Sequence, residues 1–284
     1  MLAVMDKEKK CTLARPVEIS GRGVHSGSQV RLRLVPSEAG QIVFRRTDLG
    51  NLEIPLDWRK IKAKNSSYLV FPEGKIQTIE HLLAVLYMLG IDSLRIDING
   101  SEIPILDGSA LPFVKYIREA GRKVIADNKK SIGVKKHALI KEEDAYIAFW
   151  PEPELKISYS IQFDHPAINS QELSLVVDEE SFIKEIAPAR TFGFLKDVPE
   201  LRAQGLALGG SLENAIVLGE KGVINGPLRF PDEFVRHKIV DFIGDLSLIG
   251  HPLCGHFQAY KAGHSLHLKA VRFLMNNPKL WTYL

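Results

Sequence analysis

The stretch FVRHKIVDFIGDLSLI (residues 234–249) has the pattern of a long helix with two different faces. At about 100° per residue, His237, Asp241 and Asp245 fall within one sector of about 80°, and Gly244 lies beside them. The apolar residues cluster on the opposite side, at Val235, Ile239, Phe242, Ile243, Leu246 and Ile249. The pattern predicts a helix that buries one face and presents an imidazole and two carboxylates on the other.

The polar face of this helix has the spacing of a metal site. Residues at positions i and i+4 lie one helical turn apart, so His237 and Asp241 can reach a single metal ion. A solvated polar face with a surface ion pair has the same spacing. The helix by itself leaves both interpretations open.

A second helix is predicted over TIEHLLAVLYML (78–89), with Thr78 as its N-cap. His81 points away from the main apolar stripe, but Val85 beside it is apolar too. A helix that is apolar nearly all round is usually buried, so we expect His81 in a covered position. There it is either a metal ligand or a core histidine with a hydrogen bond. The adjacent Glu80 favours the ligand, because a buried carboxylate is costly without a partner.

These residues suggest a catalytic site. Three protein ligands leave a zinc ion with an open fourth position, in which the pKa of water falls toward about 7. Glu80 is the candidate general base for that water. His264, in the glycine-flanked turn GHS (263–265), is a candidate acid for an amine leaving group, and Asp245 could orient its imidazole.

Strand and helix patterns follow one another without the regular alternation of a parallel α/β sheet. Strands are predicted over 30–35, 94–98, 145–149, 155–163, 173–177 and 257–260. Further helices are predicted over 109–121, 179–185 and 265–275. The mixture favours an α+β fold. The lysine-rich stretch 127–136 is the best boundary, and it gives an N-terminal α+β domain (1–128) and a C-terminal α+β domain (129–284).

Composition excludes several classes of protein. A net charge of +3 over 284 residues is too small to indicate nucleic-acid binding. Two cysteines without a C-x-x-C pair fit a reducing compartment. The longest apolar run, 82–89, is far shorter than the roughly 20 residues that span a bilayer. We therefore expect a cytoplasmic protein with no nucleic-acid partner and no membrane span, and we expect a monomer.

The motifs TIEHLLAVLYMLGID (78–92) and EIPILDGSALPFV (102–114) resemble those of the bacterial UDP-3-O-acyl-N-acetylglucosamine deacetylases. Matching segments elsewhere are GRGVHSG (21–27), FDHPAI (163–168), ARTFGF (189–194), LGGSLENAIVL (208–218), RFPDEFVRHKIVDFIGDL (229–246) and YKAGHSL (260–266). The similarity runs in order along nearly the whole chain.

The resemblance implies two similar domains, each a two-layer unit of sheet and helices, with the active site between them. It implies a zinc-dependent deacetylase of lipid A biosynthesis, which hydrolyses the acetamide of UDP-3-O-acyl-N-acetylglucosamine to the amino sugar and acetate. The substrate would be a small-molecule UDP-acyl-amino-sugar. The Zn²⁺ ligands would be His81, His237 and Asp241, and Fe²⁺ could occupy the same set.

The resemblance also assigns roles to the other site residues. It implies that the catalytic residues are Glu80 as general base, His264 as acid, Asp245 beside it, and Thr191 at the oxyanion. It implies substrate contacts from Lys238 to the diphosphate, His25 near the sugar phosphate, Phe192 and Phe194 beside the glucosamine, and Phe163 on the uracil. The three phenylalanines could equally be core residues, and the lysine could be an ordinary exposed one.

Two other functions stay open at this point. The chain could be a zinc hydrolase that acts on a different N-acyl substrate. It could also be a non-catalytic zinc-binding or nucleotide-binding module, which would have a closed site of four protein ligands and no use for Glu80.

Overall fold

The computed structural model of the protein describes residues 9–127 and 129–284. Residues 1–8 and Asn128, where the predicted domain boundary falls, lie outside the described residues. The helices are α1 (Glu80–Met88), α2 (Leu111–Ala120), α3 (Glu179–Ser181), α4 (Val198–Ala203), α5 (Glu233–Leu246) and α6 (His264–Asn276). The chain combines these helices with several sheets, which confirms the predicted α+β class.

The first half of the chain builds a five-stranded sheet in the order β2-β3-β9-β4-β5. Its strands are β2 (Val17–Arg22), β3 (Gln29–Pro36), β4 (Ile42–Arg46), β5 (Leu52–Pro55) and β9 (Leu94–Ile98). Burial alternates along β3, so one face of this sheet packs against helices and the other faces outward. A smaller sheet contains β6 (Ile61–Ala63), β7 (Ser67–Phe71) and β8 (Gly74–Gln77), and β1 (Lys9–Leu13) pairs with β10 (Arg122–Asp127).

The second half repeats this architecture in the strand order β12-β13-β18-β14-β15. These strands are β12 (Ala138–Glu142), β13 (Ala145–Trp150), β14 (Leu155–Gln162), β15 (Ser170–Val176) and β18 (Leu253–Tyr260). β11 (Ile132–Val134) and β19 (Trp281–Tyr283) extend the sheet beside β18, while β16 (Phe192–Phe194) pairs with β17 (Ile216–Leu218).

Five strands of this seven-stranded sheet share the topology of the five-stranded sheet in the first half. In both, the first two pairings are antiparallel, the third is parallel (β9 with β4, β18 with β14), and the last is antiparallel. A helix precedes the central strand and another follows it, so α1 corresponds to α5 and α2 to α6. The corresponding helices α1 and α5 pack directly against each other. The two helices that carry the predicted metal ligands therefore pack against each other where the two similar halves of the chain meet.

Some local predictions are wrong. Thr78 does not cap α1, because it has a left-handed φ of 57° and its hydroxyl donates instead to Glu102 at 3.0 Å. α1 begins two residues later, at Glu80. The sequence pattern also does not predict the short strand β11, whose three residues are all buried; it lies within the lysine-rich stretch 127–136, whose role as a domain boundary stays a prediction. Its apolar residues, among them Ile132, are too few to give a periodic signal against the surrounding lysines.

Candidate metal centre and active site

Helices α1 and α5 bring the three predicted metal ligands together. His81 lies in the first turn of α1, while His237 and Asp241 lie one turn apart on α5. The Nε2 atoms of His81 and His237 are 3.5 Å and 3.4 Å from Oδ1 of Asp241. All three residues are buried, so a solvated polar face on α5 is the wrong interpretation. The group has the spacing of a set that could hold a metal ion.

The donor chemistry of this set fits a metal ion. Nδ1 of His237 is 3.1 Å from the carbonyl oxygen of Ala189, and donation there leaves the lone pair on Nε2 facing Asp241. Burial lowers the pKa of His237 to about 4, so its imidazole is neutral, as metal ligation requires. Within the described part of the chain, Nδ1 of His81 is buried without a hydrogen-bond partner.

Glu80 precedes His81, and its two carboxylate oxygens have different surroundings. Its Oε2 accepts a hydrogen bond from the backbone N–H of Ser67 at 3.1 Å. Its Oε1 faces Nε2 of His264 at 3.8 Å. Burial raises the pKa of Glu80 to about 7, although the neighbouring His264 and His81 oppose the shift. A carboxylate with such a pKa can accept a proton near neutral pH.

His264 is the first residue of α6 and lies between carboxylates. Its Nδ1 is 2.8 Å from Oδ2 of Asp245, and its Nε2 is 3.7 Å from Oδ2 of Asp241. Burial alone would lower its pKa, but Asp245 and Asp241 outweigh burial and raise that pKa to about 9. The Asp245 contact leaves Nε2 as the nitrogen that faces Glu80 and Asp241, and Nε2 can therefore donate a proton into the site.

Lys238 and a group of phenylalanines lie beside the metal ligands. Lys238 Nζ is 2.9 Å from Oδ2 of Asp241 and 5.7 Å from the centre of the Phe192 ring. Phe192 also contacts the ring of His237 edge to face, with centroids 6.4 Å apart. The ring of Phe163 lies 5.7 Å from that of Phe192 and 5.8 Å from that of Phe194, and all three rings are only half-buried.

His25 lies on a loop that is fixed by a buried carboxylate. The backbone N–H groups of His25 and Ser26 donate to Glu102 at 2.8 and 2.7 Å. Nδ1 of His25 is buried without a partner in residues 9–127 and 129–284. Burial lowers the pKa of His25, and Lys75 and His264 lower it further against the opposing charge of Glu102. The charge of His264 therefore contributes to lowering the pKa of His25.

Thr191 is held through its backbone. Its N–H donates to the carbonyl of Gly108 at 2.8 Å, and its own carbonyl accepts from Ile216 at 2.7 Å. Thr191 lies two residues after Ala189, whose carbonyl oxygen is 3.1 Å from Nδ1 of His237. Among the described residues, no hydrogen bond joins the Thr191 hydroxyl to the buried cluster, so its catalytic role stays a prediction.

Three buried residues in contact with the site were missed by sequence reasoning. Ser67 binds Glu80 and Asp245, His267 binds Asp245, and Glu102 fixes the loop of His25. His267 had a signal, because it lies three residues after His264 and therefore on the same helix face. Ser67 and Glu102 had none, since they lie in segments whose pairing only the folded chain defines.

The α+β architecture brings together buried histidine and carboxylate groups that could hold a metal ion beside a candidate base and acid, an arrangement typical of metal-dependent hydrolases. Comparison with known proteins is more specific. The family model of the UDP-3-O-acyl N-acetylglycosamine deacetylases matches residues 10–276, and this chain belongs to that family. The predicted family and the predicted class of enzyme, a deacetylase, are thereby confirmed.

Relatives named UDP-3-O-acyl-N-acetylglucosamine deacetylase are similar over nearly their whole length. The one from Citrifermentans bemidjiense is 47% identical over 276 residues, which cover 95% of this chain and 90% of the relative. The one from Nautilia profundicola is 47% identical over 261 residues (91% and 89%), and that from Cellvibrio japonicus is 42% identical over 281 (97% and 93%). Among the residues that the structure describes, no helix is both long and apolar enough to cross a membrane.

Proposed function

We propose that this chain hydrolyses the acetamide of UDP-3-O-acyl-N-acetylglucosamine and releases acetate and UDP-3-O-acyl-glucosamine, the deacetylation step of lipid A biosynthesis. One observation carries the proposal. Oε1 of Glu80 and Nε2 of His264 lie 3.8 Å apart, directly beside Asp241 of the predicted metal set, in a chain of this deacetylase family. A base, an acid and a metal site therefore meet at one buried point.

The proposed metal is zinc, held by His81, His237 and Asp241, and these ligands would also accept Fe²⁺. When bound, zinc supplies Lewis acidity toward the amide oxygen and the attacking water. Glu80 and His264 also lie close enough to Asp241 to hold an ion. We assign them to proton transfer instead, because three protein ligands leave a position open for water, as catalysis requires and a closed binding module with four protein ligands does not.

The chain's own residues then move two protons. Glu80 Oε1 takes a proton from the water as it attacks the carbonyl carbon, because Oε2 is occupied by Ser67. The imidazolium of His264, held by Asp245, donates from Nε2 to the amide nitrogen as the carbon–nitrogen bond breaks. We assign the hydroxyl of Thr191 to the oxyanion, together with the positive charge of His264.

Substrate binding is proposed for the side chains around this centre. Lys238 would meet the diphosphate and His25 the sugar phosphate end. Phe192 and Phe194 would line the glucosamine, and Phe163 would stack on uracil. The three rings pack against the core with one side and are only half-buried, and that of Phe192 lies beside His237, so their uncovered sides support contact with a ligand.

The decisive experiment is acetate release from UDP-3-O-acyl-N-acetylglucosamine by the purified chain, with substrates of several acyl lengths and with zinc or iron(II). We expect stoichiometric acetate, and Glu80→Gln should lower kcat by at least about a hundredfold. The exposed Glu73→Gln is the matched control and should leave kcat unchanged. No acetate from any acyl length with either metal would contradict the proposal.

Variants at the proposed nucleotide contacts distinguish this enzyme from a hydrolase that acts on another N-acyl substrate. Lys238→Met and Phe163→Leu should raise KM for the UDP-linked substrate. Phe163→Leu should leave hydrolysis of an acylated amino sugar without the UDP unaffected, whereas Lys238→Met also removes the ion pair with Asp241 and serves only for the comparison of KM values. Equal effects on both substrates would favour the other hydrolase.

The proposal includes the predicted organisation of the chain. We place the domain boundary between residues 128 and 129, so that one domain contains the five-stranded sheet and the other the seven-stranded sheet. The enzyme should act as a monomer, since one chain supplies every proposed site residue, and we place it in the cytoplasm. Light scattering of the purified chain and fractionation of cells test these two points.

A further inference from the structure

One carboxylate oxygen near the candidate active site accepts from two imidazoles. Oδ2 of Asp245 is 2.8 Å from Nδ1 of His264 and 2.8 Å from Nδ1 of His267. The other oxygen, Oδ1, accepts from the hydroxyl of Ser67. Asp245 is buried and therefore has protein donors on both oxygens in place of water. Its position is fixed from three sides, and only one of these contacts involves the proposed catalytic acid.

The second imidazole continues the chain of hydrogen bonds away from the reacting groups. Nε2 of His267 is 2.9 Å from the hydroxyl oxygen of Tyr159. That hydroxyl also lies 2.7 Å from the carbonyl oxygen of Ala262. Because His267 donates from Nδ1 to Asp245, its Nε2 is an acceptor, and the hydroxyl proton of Tyr159 is shared between Nε2 and this carbonyl oxygen. Ala262 stands two residues before His264, so the chain of contacts returns to the segment that begins α6. The contacts from His264 through Asp245, His267 and Tyr159 thus form a closed loop.

Packing holds this loop in one arrangement. The ring of His267 lies 4.7 Å from that of Phe242 and 5.9 Å from that of Tyr159. The rings of Tyr159 and Phe242 are in turn 5.7 Å apart. All three side chains are fully buried, so His267 has no space to turn and no water to replace its partners. Nothing in the proposed proton transfers uses His267 or Tyr159.

We propose that His267, supported by Tyr159, is a positioning residue for the deacetylation, an inference that rests on the proposed function. By donating to Oδ2, His267 holds the Asp245 carboxylate where it binds Nδ1 of His264. The His264 ring then keeps Nε2 directed at Glu80 and Asp241, at 3.8 and 3.7 Å. Without this donor, one lone pair of the buried Asp245 carboxylate has no hydrogen-bond partner, and the carboxylate can rotate away from His264.

Three variants test this role. His267→Leu removes both contacts while keeping an apolar side chain. His267→Asn keeps the donor to Asp245, because the amide nitrogen stands the same number of bonds from the backbone as Nδ1. Tyr159→Phe removes only the hydroxyl. Each is compared with the wild-type chain in its metal-loaded form, with thermal unfolding as the check that it folds.

We expect His267→Leu to lower kcat by about tenfold or more while KM changes little, since His267 contacts none of the proposed substrate residues. His267→Asn should restore most of kcat, and Tyr159→Phe should show a smaller loss in kcat alone. Wild-type kcat in His267→Leu, or equal losses in the Leu and Asn variants, would overturn the proposal. If His267→Leu does not fold, the Asn and Phe variants decide it: a KM change without a kcat change contradicts the role.

A second measurement is independent of catalysis. Imidazole N–H protons bound to a carboxylate resonate far downfield in proton NMR spectra, and the wild-type chain should show two, from His264 and His267. His267→Leu should lose one signal and shift the other, and an unchanged His264 signal would contradict the proposal. If the wild-type chain releases no acetate, the proposed function fails, whereas these signals still report whether His267 orders the His264 and Asp245 pair.

Discussion

Gly244 of α5 lies against the backbone of Glu80, at the start of α1. A methyl group placed on Gly244 would overlap the carbonyl carbon and oxygen of Glu80. The absence of a side chain therefore sets how closely the two corresponding helices approach, and this approach brings His81 of α1 within 3.5 Å of Asp241 of α5.

Gly244→Ala should force the two helices apart. Because the obstacle is backbone, it cannot move aside as a flexible side chain would, and we expect a loss of about 1–3 kcal/mol in the free energy of unfolding. The predicted metal ligands on the two helices should move apart as well, and the affinity for zinc should fall. Denaturant unfolding and zinc titration measure the two effects. Gly222→Ala, with open space around it, is the control and should alter neither. Wild-type zinc affinity in Gly244→Ala would contradict the link between helix approach and the metal set.

The rate of deacetylation should have a bell-shaped dependence on pH. Glu80 acts as a base only when deprotonated, so kcat/KM should fall as the pH drops below its pKa of about 7. His264 acts as an acid only when protonated, so the rate should fall as the pH rises above about 9. The profile is measured from about pH 5 to about pH 10. A rate that stays constant on crossing either value would contradict the corresponding assignment.

Metal binding should stabilise the folded chain. A ligand that binds only the folded state raises the unfolding temperature, by an amount set by its concentration and affinity. We expect zinc to raise the melting temperature of chelator-treated protein, and His81→Ala to abolish most of this shift. His137→Ala, an exposed histidine outside the cluster, is the control. The same shift in wild type and His81→Ala would place the metal elsewhere.

Glu102 should link stability to substrate affinity. It is fully buried and accepts from the backbone of His25 and Ser26 and from the hydroxyl of Thr78. Glu102→Gln presents an amide N–H to these donors, and we expect a loss of about 1.5–3 kcal/mol in the free energy of unfolding. Since the loop carries His25, KM should also rise more than kcat falls. Chemical denaturation and initial rates measure these effects, and a change in kcat alone would argue against His25 as a substrate residue.

The sequence by itself predicted the elements whose signals are local. Periodicity placed the start of α5 to within one residue and its end to within three, and alternation placed β3 and β9, because these patterns follow from which side of one element is buried. The spacing of His237 and Asp241 followed from the helical repeat. The resemblance to a family added His81 and Glu80, which no local pattern joins to residue 237.

Only the tertiary structure decided which face is covered and what meets across it. The polar side of α5 is as buried as its apolar side, because α1 packs on it through Gly244. The repeated strand order was invisible in the sequence, since similar topologies need only similar burial patterns and not similar residues. The contacts of Ser67, Glu102 and His267 likewise depend on chain segments that are distant in sequence. The contact of Ser67 with Asp245 also requires the two halves of the chain to pack together.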